Sequence, residues 1–456
     1  MADLESLGRQ ELIELILEQQ NLIEQLRKEV ERLRRDGRRQ AAPFSKGKAV
    51  ANPKRPGRKP GEGVFRRRNA PSQPPSEVIT AAVPSCCPHC GGGLEQESEE
   101  VVTTTELPSE PQPVVRAYRV PVCRCQGCGK RVRGRAVGLA PDQTGATAHR
   151  VGPGVMAAAH ALHYGMGIPV RKVPMVLEEL TGVHITQSAV TQDALRRAAG
   201  AAGRKYDELR LGIQHAPAVY TDDTGWRVSG RNAFLMAFDT DRATVYQIRS
   251  RHRNEEVREV IPASYAGVMV SDRGKSYDAE EFAGIAQQKC LSHLLRNVSD
   301  IVKVKQGRAQ QFGATLIVLL RAGLALWHAR SGLSLKNFRE QRQELEERLT
   351  FHLRMRILRD DDNGRLLDGI GLQHDRGHLL RFLSTPGVEP TNNRAERILR
   401  PAVIARKVSQ CSKNQRGADA CAIFLSIVQT ARKTLGTTVS RTLRDLFSLP
   451  VTAIER

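Results

Sequence analysis

Three acids in this chain stand where carboxylates are unusual. The stretch Val219-Tyr220-Thr221-Asp222-Asp223-Thr224-Gly225-Trp226-Arg227-Val228 reads as a strand that carries a pair of carboxylates. Acids are poor strand formers, so a carboxylate inside a strand pattern needs a reason. Asp272 ends a second strand-like run, Gly267-Val268-Met269-Val270-Ser271. Glu396 lies in TNNRAERILRP, where Asn392 or Asn393 can cap a helix that holds the Glu one turn in. An acid on a first strand, an acid ending a later strand and a Glu on a distant helix suit one chemistry. Three carboxylates can hold two divalent cations about 3.5–4 Å apart, which activates a water or hydroxyl for in-line attack on a phosphodiester. Hard oxygen ligands favour Mg²⁺, with Mn²⁺ as the substitute.

Those acids need a scaffold, and the pattern after Ala216 supplies one. Val219–Val228, Ala233–Phe238 and Ala243–Ile248 read as strands, Asn254–Ile261 as a helix, and Ala266–Asp272 as the next strand. Three strands, a helix and a strand resemble the start of a ribonuclease H-like α/β core. Residues 280–385 carry almost no strand signal, with Gln310–Ser331 and Leu335–Leu358 helical, so an all-α insertion is expected between the second and third acids. Cys290-Leu-Ser-His293 opens a helix at its start. With no second pair nearby, a buried thiol is expected there, with His293 or Arg296 facing DNA or the neighbouring acids. After Glu396, the cations Arg397, Arg400, Arg406 and Lys407 suit a bound phosphate backbone. Gly417–Leu435 reads as an amphipathic core helix.

Length and charge set the wider frame. A chain of 456 residues predicts two to four domains. An excess of 70 Lys and Arg over 49 Asp and Glu gives a net charge of +21, which predicts attraction to polyanions, with nucleic acid first among them. No apolar run reaches the ~18–20 residues of a membrane span, so no membrane partner is expected. The first residues, MADLESLGRQ, are too acidic and polar for a secretory signal, so a cytoplasmic, nucleoid-associated protein is expected.

The N-terminal half reads as four successive segments. Residues 1–37 hold a heptad, with Ile16, Ile23 and Val30 at a and Leu12, Gln19, Leu26 and Leu33 at d. β-branched a with Leu at d favours a parallel coiled-coil dimer, although one amphipathic helix packed on its own chain gives the same pattern. Residues 38–80 form a basic, Pro- and Gly-rich linker; from Arg38 to Arg68 there are eleven Lys or Arg and one acid, Glu62. Within it, Arg55, Arg58 and Lys59 loosely follow an AT-hook, which threads Arg into a narrow minor groove; plain phosphate contact is the alternative. Residues 81–135 hold Cys87-Pro-His-Cys90 and Cys125-Gln-Gly-Cys128. Such pairs present four thiolates tetrahedrally to Zn²⁺, and a zinc ribbon is expected, with Gly91–Gly93 and Gly129 in the knuckle turns and a strand over Val114–Val122. Cys86 and Cys123 stand just outside the pairs. Residues 145–205 read as helices: Val151–His163, Val170–Leu180 and Thr186–Ala199, the last with Ser188 as a candidate cap. Helix, short Gly turn, helix is the outline of a helix-turn-helix, whose second helix offers Gln187, Thr191, Gln192, Arg196 and Arg197 to a groove; plain three-helix packing looks the same.

These residues resemble the transposases of the insertion sequence 66 family, within the Asp-Asp-Glu transposase group. The most specific pieces are TDDT at 221–224, VSDRGKSYD at 270–278, CLSHLLRNV at 290–298 and EPTNNRAERILRPAVIARK at 389–407. The resemblance follows the chain in order, from heptad through linker, Cys pairs and helical segment to a split core at 215–410, with 411–456 as a C-terminal helical segment. It implies Asp222, Asp272 and Glu396 as a metal-binding catalytic triad. It also implies a polynucleotidyl transferase that hydrolyses a phosphodiester at the element's terminal inverted repeats and joins the freed 3′ hydroxyl to target DNA. A homodimer or higher oligomer and small accessory transposition proteins are the implied partners. Where the family has Asp-Glu-Thr, Asp-Asn-Asn and an aromatic after Arg-Lys, this chain has Asp222-Asp223-Thr224, Thr391-Asn392-Asn393 and Val408. The alternatives are a diverged inactive copy, a nuclease or resolvase that cuts without joining, and a non-catalytic zinc-ribbon and helix-turn-helix regulator. In the regulator the three acids need not converge.

Overall fold

The computed structural model describes residues 8–39, 78, 89–93, 113–134, 151–354 and 358–448. Contacts divide the chain into two units, Met1–Ser109 and Glu110–Arg456. In the first, α1 (Arg9–Arg39) is one continuous helix. Ile16, Ile23 and Val30 at a and Leu26 at d are about half exposed, at 53, 49, 46 and 56%. Residues 40–77 of the basic linker, with Arg55, Arg58 and Lys59, lie outside the described residues, as do Cys86 and Cys87.

The second unit is built on a mixed sheet. β1 (Val122–Arg124) and β2 (Arg131–Arg133) form a separate short hairpin. The strand expected over Val114–Val122 is absent up to its last residue; residues 114–121 pair with no strand among those described. The sheet itself consists of β3 (Ala218–Val228), β4 (Arg231–Asp239), β5 (Thr244–Arg249), β6 (Val268–Ser271) and β7 (Ala286–Lys289). Their order is β5-β4-β3-β6-β7. The first three form an antiparallel meander; β6 and β7 then run parallel to β3. Ser229 and Gly230, at φ 52° and 76°, make the tight β3–β4 turn. Two successive positive φ values suit the right-handed twist of a two-residue hairpin.

Side-chain alternation gives this sheet two distinct faces. Val219, Met236, Phe238, Val245 and Met269 share a cluster with Leu209 and Ile213 of α5 (Ala201–Gln214) and Phe424 and Val428 of α13 (Gln415–Ala431). The same cluster takes in Met156 and Ala157 of α2 (Pro153–His160), Ala194 of α4 (Gln187–Ala198) and Phe447 of α14 (Val439–Ser448). The helical segment and the C-terminal helices therefore bury their apolar stripes against the sheet. Between α2 and α4 lies α3 (Val173–Thr181). Thr186, not Ser188, caps α4: its side chain accepts the Ala189 N–H at 3.1 Å. Thr186 is the last residue still extended before the helix, which is where a cap must sit.

The opposite face meets the insertion. After the short α6 (Asn254–Arg258), β6 and β7, the chain runs through α7 (Leu291–Val302), α8 (Gly307–Ala329), α9 (Leu335–Arg354), α10 (Asp361–Asp375) and α11 (Arg381–Ser384). Tyr220, Val268 and Val270 pack with Leu291, Leu294, Phe312, Leu316, Leu349 and Phe382 of these helices. β7 had no signal in the sequence, so the helical part starts at 291 rather than 280. Its residues Gln287, Gln288 and Lys289 are polar yet buried. Among the described residues, and contrary to expectation, one stretch is long and apolar enough to cross a membrane by length and composition, Gly307–Gly332. It is α8 and its end, and Phe312, Leu316, Leu319 and Leu320 are buried in the helical core. The chain then returns to the sheet through α12 (Asn393–Ser409).

Candidate active site

The register of β3 and β6 fixes the first two acids. Ala218, Val219 and Tyr220 pair with Val268, Met269 and Val270 in parallel. Asp222 lies two residues beyond Tyr220 on β3, and Asp272 two beyond Val270, just past the end of β6, where its charge reaches Asp222. Asp222 follows Tyr220 on the insertion face, and Asp272 follows Val270 there. Thr221 and Asp223 point to the other face: Thr221 meets Tyr277, and Asp223 meets His252 at 3.1 Å. The two acids of TDDT thus serve different sides of the sheet.

The third acid is brought in by tethers to α12. Asn392 Nδ2 donates to the Thr221 carbonyl at 2.8 Å, and its backbone N–H meets Cys290 Sγ at 3.1 Å. Leu291 N–H donates to the Pro390 carbonyl, and Cys290 N–H to the Ser271 carbonyl, at 3.0 and 2.8 Å. Tyr220 Oη accepts the Glu389 N–H at 2.9 Å. Arg394 pairs with Asp239 at 2.6 Å and also with Asp241. Asn392 occupies the helix N-cap position but makes no side-chain cap. Its amide is spent on the sheet instead, which corrects the expected capping role. These bonds place Glu396 beside α7, where His293 Nε2 lies 3.6 Å from Glu396 Oε1.

The electrostatics record the crowding. Burial, then the negative fields of Asp272 and Asp223, pushes the Asp222 carboxyl up to about 7, against the Asp223 N–H and His293. His293 is held above its ordinary value, first by a hydrogen bond with Cys290 and further by the fields of Asp222 and Glu396, against burial. Each acid is also engaged locally. Asp222 Oδ1 accepts the Asp223 N–H at 2.9 Å, and Asp272 Oδ1 accepts the Gly274 N–H at 2.8 Å. Among the described residues, no three His, Cys, Asp or Glu side chains stand together closely enough to hold an ion.

Beneath the second acid lies a buried cation that sequence reasoning missed. Lys289 is fully buried, pairs with Asp278 at 2.8 Å and reaches Ser271 Oγ at 3.4 Å. Asp278 in turn accepts from Gln373 at 3.1 Å, and Gln373 meets His378 at 2.9 Å. Burial lowers the Lys289 pKa while Asp278 and Asp272 raise it. A Lys at the end of a polar run reads as a solvated edge in sequence; only the partner Asp278, eleven residues earlier in the chain, could have hinted otherwise.

The expected DNA contacts divide. Arg296 on α7 and Arg397, Arg400 and Lys407 on α12 are exposed. Arg400 and Lys407 lie at helical spacing on the face that carries Glu396. Arg406 turns back to β3, where its Nη1 donates to Thr224 Oγ1 at 3.3 Å and to the Gly225 carbonyl. Arg196 and Arg197 both pair with Asp193, at 2.6 and 2.7 Å. Arg197 faces inward, with its guanidinium 3.8 Å from the centre of the Phe447 ring.

Of the four expected zinc ligands, Cys87 lies outside the described residues. Cys125 and Cys128 share the β1–β2 turn. The Cys125 thiol is held below its ordinary pKa by the Cys128 backbone N–H, the Cys128 side chain and the Gly127 N–H. Cys90 and Cys128 are each followed by a glycine in the left-handed region, Gly91 at φ 73° and Gly129 at φ 70°.

Comparison with known proteins gives two matches. The family model described as "Transposase IS66 family" matches residues 149–420, a span that contains the whole sheet, all three acids and the helical insertion. An uncharacterized protein, y4hP, of Sinorhizobium fredii (strain NBRC 101917 / NGR234) is 24% identical over 417 residues, which is 83% of this chain and 71% of that protein.

Proposed function

Because the chain belongs to the IS66 transposase family, we propose that it cuts DNA at the ends of a mobile element and joins the freed ends to target DNA. The observations that support this reading are the field of Asp272, just past β6, on Asp222 in the middle of β3, and the approach of His293 to Glu396 at 3.6 Å. The strand order and the placing of the acids fit a ribonuclease H-like core. The donor set fits hard divalent cations: three carboxylates, one of them pushed up to about 7 by burial and neighbouring negative charge that a cation would relieve. Asp222, Asp272 and Glu396 would hold Mg²⁺ or Mn²⁺, which when bound supplies Lewis acidity to the phosphoryl oxygens.

The rest is work for the chain's own residues. Arg400, Lys407, Arg397 and Arg296 hold the phosphate backbone beside the acids. The tethers from Asn392, Tyr220 and Arg394 fix α12, so that Glu396 stays beside His293 of α7. In the first step water attacks phosphorus at the element end and the 3′ oxygen leaves, taking a proton. In the second, that 3′ oxygen attacks a target phosphodiester, forming one P–O bond as another breaks. Two ends must be held together, and the half-exposed apolar stripe of α1 offers a route to a dimer.

The test is cleavage and joining of a labelled element end with Mg²⁺, with Glu396→Gln as control and light scattering alongside to read a dimer. Joined product in the wild type, lost in the control by a factor of about 10³ or more, is the expected result. Nicked product that is never joined would identify a nuclease. A second reading, a regulator or diverged copy that binds without cutting, is favoured by one observation: no three ligating side chains crowd together among the described residues. Binding with no cleavage in either protein would establish it.

We also propose that Cys87, Cys90, Cys125 and Cys128 hold a structural Zn²⁺. The N–H groups directed at Cys125 and the matched glycine turns after Cys90 and Cys128 support two knuckles. The purified chain should carry about one zinc, and Cys125→Ser should lose it. A zinc-free wild-type protein, purified without chelator, would refute the ribbon.

A further inference from the structure

The helices before the sheet carry a second face suited to DNA. Ala159 of α2, Val173 and Leu177 of α3 and Val190 of α4 close on a small apolar core of their own. α3 stops at Gly182, left-handed at φ 66°, and α4 begins after the Thr186 cap. Three helices around one small core, the last two joined by a Gly turn, make the outline of a helix-turn-helix unit.

The inner face of α4 is tightly held. Asp193 is buried, meets His160 at 2.9 Å, and takes Arg197 at 2.7 Å. Arg197 lies over Phe447 of α14. His160 itself stacks on Phe424 of α13, with ring centres 4.7 Å apart. This buried clasp leaves α4 one rotational setting, so its outer face is defined. Along that face Gln187, Ser188, Thr191 and Gln192 are exposed, at i, i+1, i+4 and i+5. No acid lies among them. Arg171 and Lys172, exposed at the start of α3, flank the unit with positive charge.

The chemistry of this face selects its partner. A protein partner needs an apolar or aromatic anchor to bury, and the outer face of α4 presents none. Amides and hydroxyls on a rigid helix match base edges instead: Gln pairs with adenine through two hydrogen bonds, and Ser and Thr bond to several bases. An α-helix fits the B-DNA major groove.

We propose that α4 is a base-reading helix, placing Gln187, Ser188, Thr191 and Gln192 in the major groove of duplex DNA while Arg171 and Lys172 hold phosphates. This site lies apart from the acids. It requires DNA as partner but not cleavage, and it assigns Arg197 to the clasp rather than to DNA.

The test is selection from a randomised duplex pool by the full chain without added Mg²⁺, so that failure of catalysis cannot affect the outcome. The wild type should enrich a short motif. Gln187→Ala with Gln192→Ala should lose preference at particular positions of that motif by about 5- to 100-fold, while binding to unrelated duplex stays unchanged. Arg171→Ala with Lys172→Ala should weaken binding to every duplex and reduce the slope of log K against log salt by about two. Both pairs are exposed, so the melting temperature of each variant should stay close to that of the wild type. If the Gln variant enriches the same motif equally well, or the wild type enriches none, α4 is not the reader.

Discussion

Asp222→Asn is expected to abolish divalent-cation-dependent cleavage, by on the order of 10³-fold or more, and at the same time to yield a more stable protein above about pH 7. The second half follows from linkage. The Asp222 carboxyl sits at about 7 in the fold against an ordinary 3.8. Between those values the unfolded chain releases a proton that the folded chain keeps, so stability falls as pH rises through that window. Above about 7 the cost is complete. The full difference corresponds to about 4 kcal/mol, and partial exposure of the carboxylate reduces it to about 2–4. Asn has no proton to lose, so the variant should lack this fall, and the difference between the two proteins should grow over the same range. Melting curves from about pH 4 to 8 without divalent cation check this. Parallel curves for the two proteins would remove Asp222 from the acid cluster. Added Mg²⁺ should stabilise the wild type by mass action and leave the variant nearly unmoved.

Asp239→Ala should cost about 3–5 kcal/mol, because it strips the counter-charge from two part-buried cations. Asp239 ends β4 at 1% exposure. One oxygen takes Arg394 at 2.6 Å; the other takes Lys433 and Thr244, each at 2.5 Å. The carboxylate thus joins β4, β5, α12 and the turn that follows α13. Lys433 is already pulled below its ordinary pKa by burial, with Asp239 the main opposing field. Arg394 keeps Asp241, an exposed partner, so most of the loss falls on Lys433. The denaturant midpoint should drop with the slope unchanged. A loss under about 1 kcal/mol would show that water replaces the carboxylate without penalty.

How much of this was legible in the sequence depended on whether a residue's role was local. β3 and β6 were readable because apolar and β-branched runs end on acids, and α8 because its apolar residues recur at helical spacing. The parallel pairing of β3 with β6 joins segments about fifty residues apart and shows in no local pattern. β7 was not readable: Gln287, Gln288 and Lys289 are polar, and their burial is satisfied by Tyr277, Leu379, Phe382 and Asp278 from elsewhere in the chain. The partners of Gln288 lie 91 and 94 residues away, and those of Gln287 and Lys289, ten and eleven residues back, carry no periodic signal. Asn392 misled for a related reason. Its position before a helix suggests a cap, yet its amide bonds to Thr221, 171 residues away. Arg197 looked like a groove-facing cation because the ring that receives it, Phe447, lies far off in the sequence.

That long bond from Asn392 to Thr221 also sets an order of events during synthesis. The sheet meander and both of the first acids leave the ribosome well before α12 exists. Until residue 396 has emerged, the nascent chain holds two carboxylates and no Glu396, whatever DNA it meets. Closing a loop of this length is entropically costly and slow compared with pairing the meander strands. The third acid is therefore expected to be added among the last steps of folding, and a truncated translation product ending within the helical insertion would lack both Glu396 and the C-terminal helices that cover the sheet.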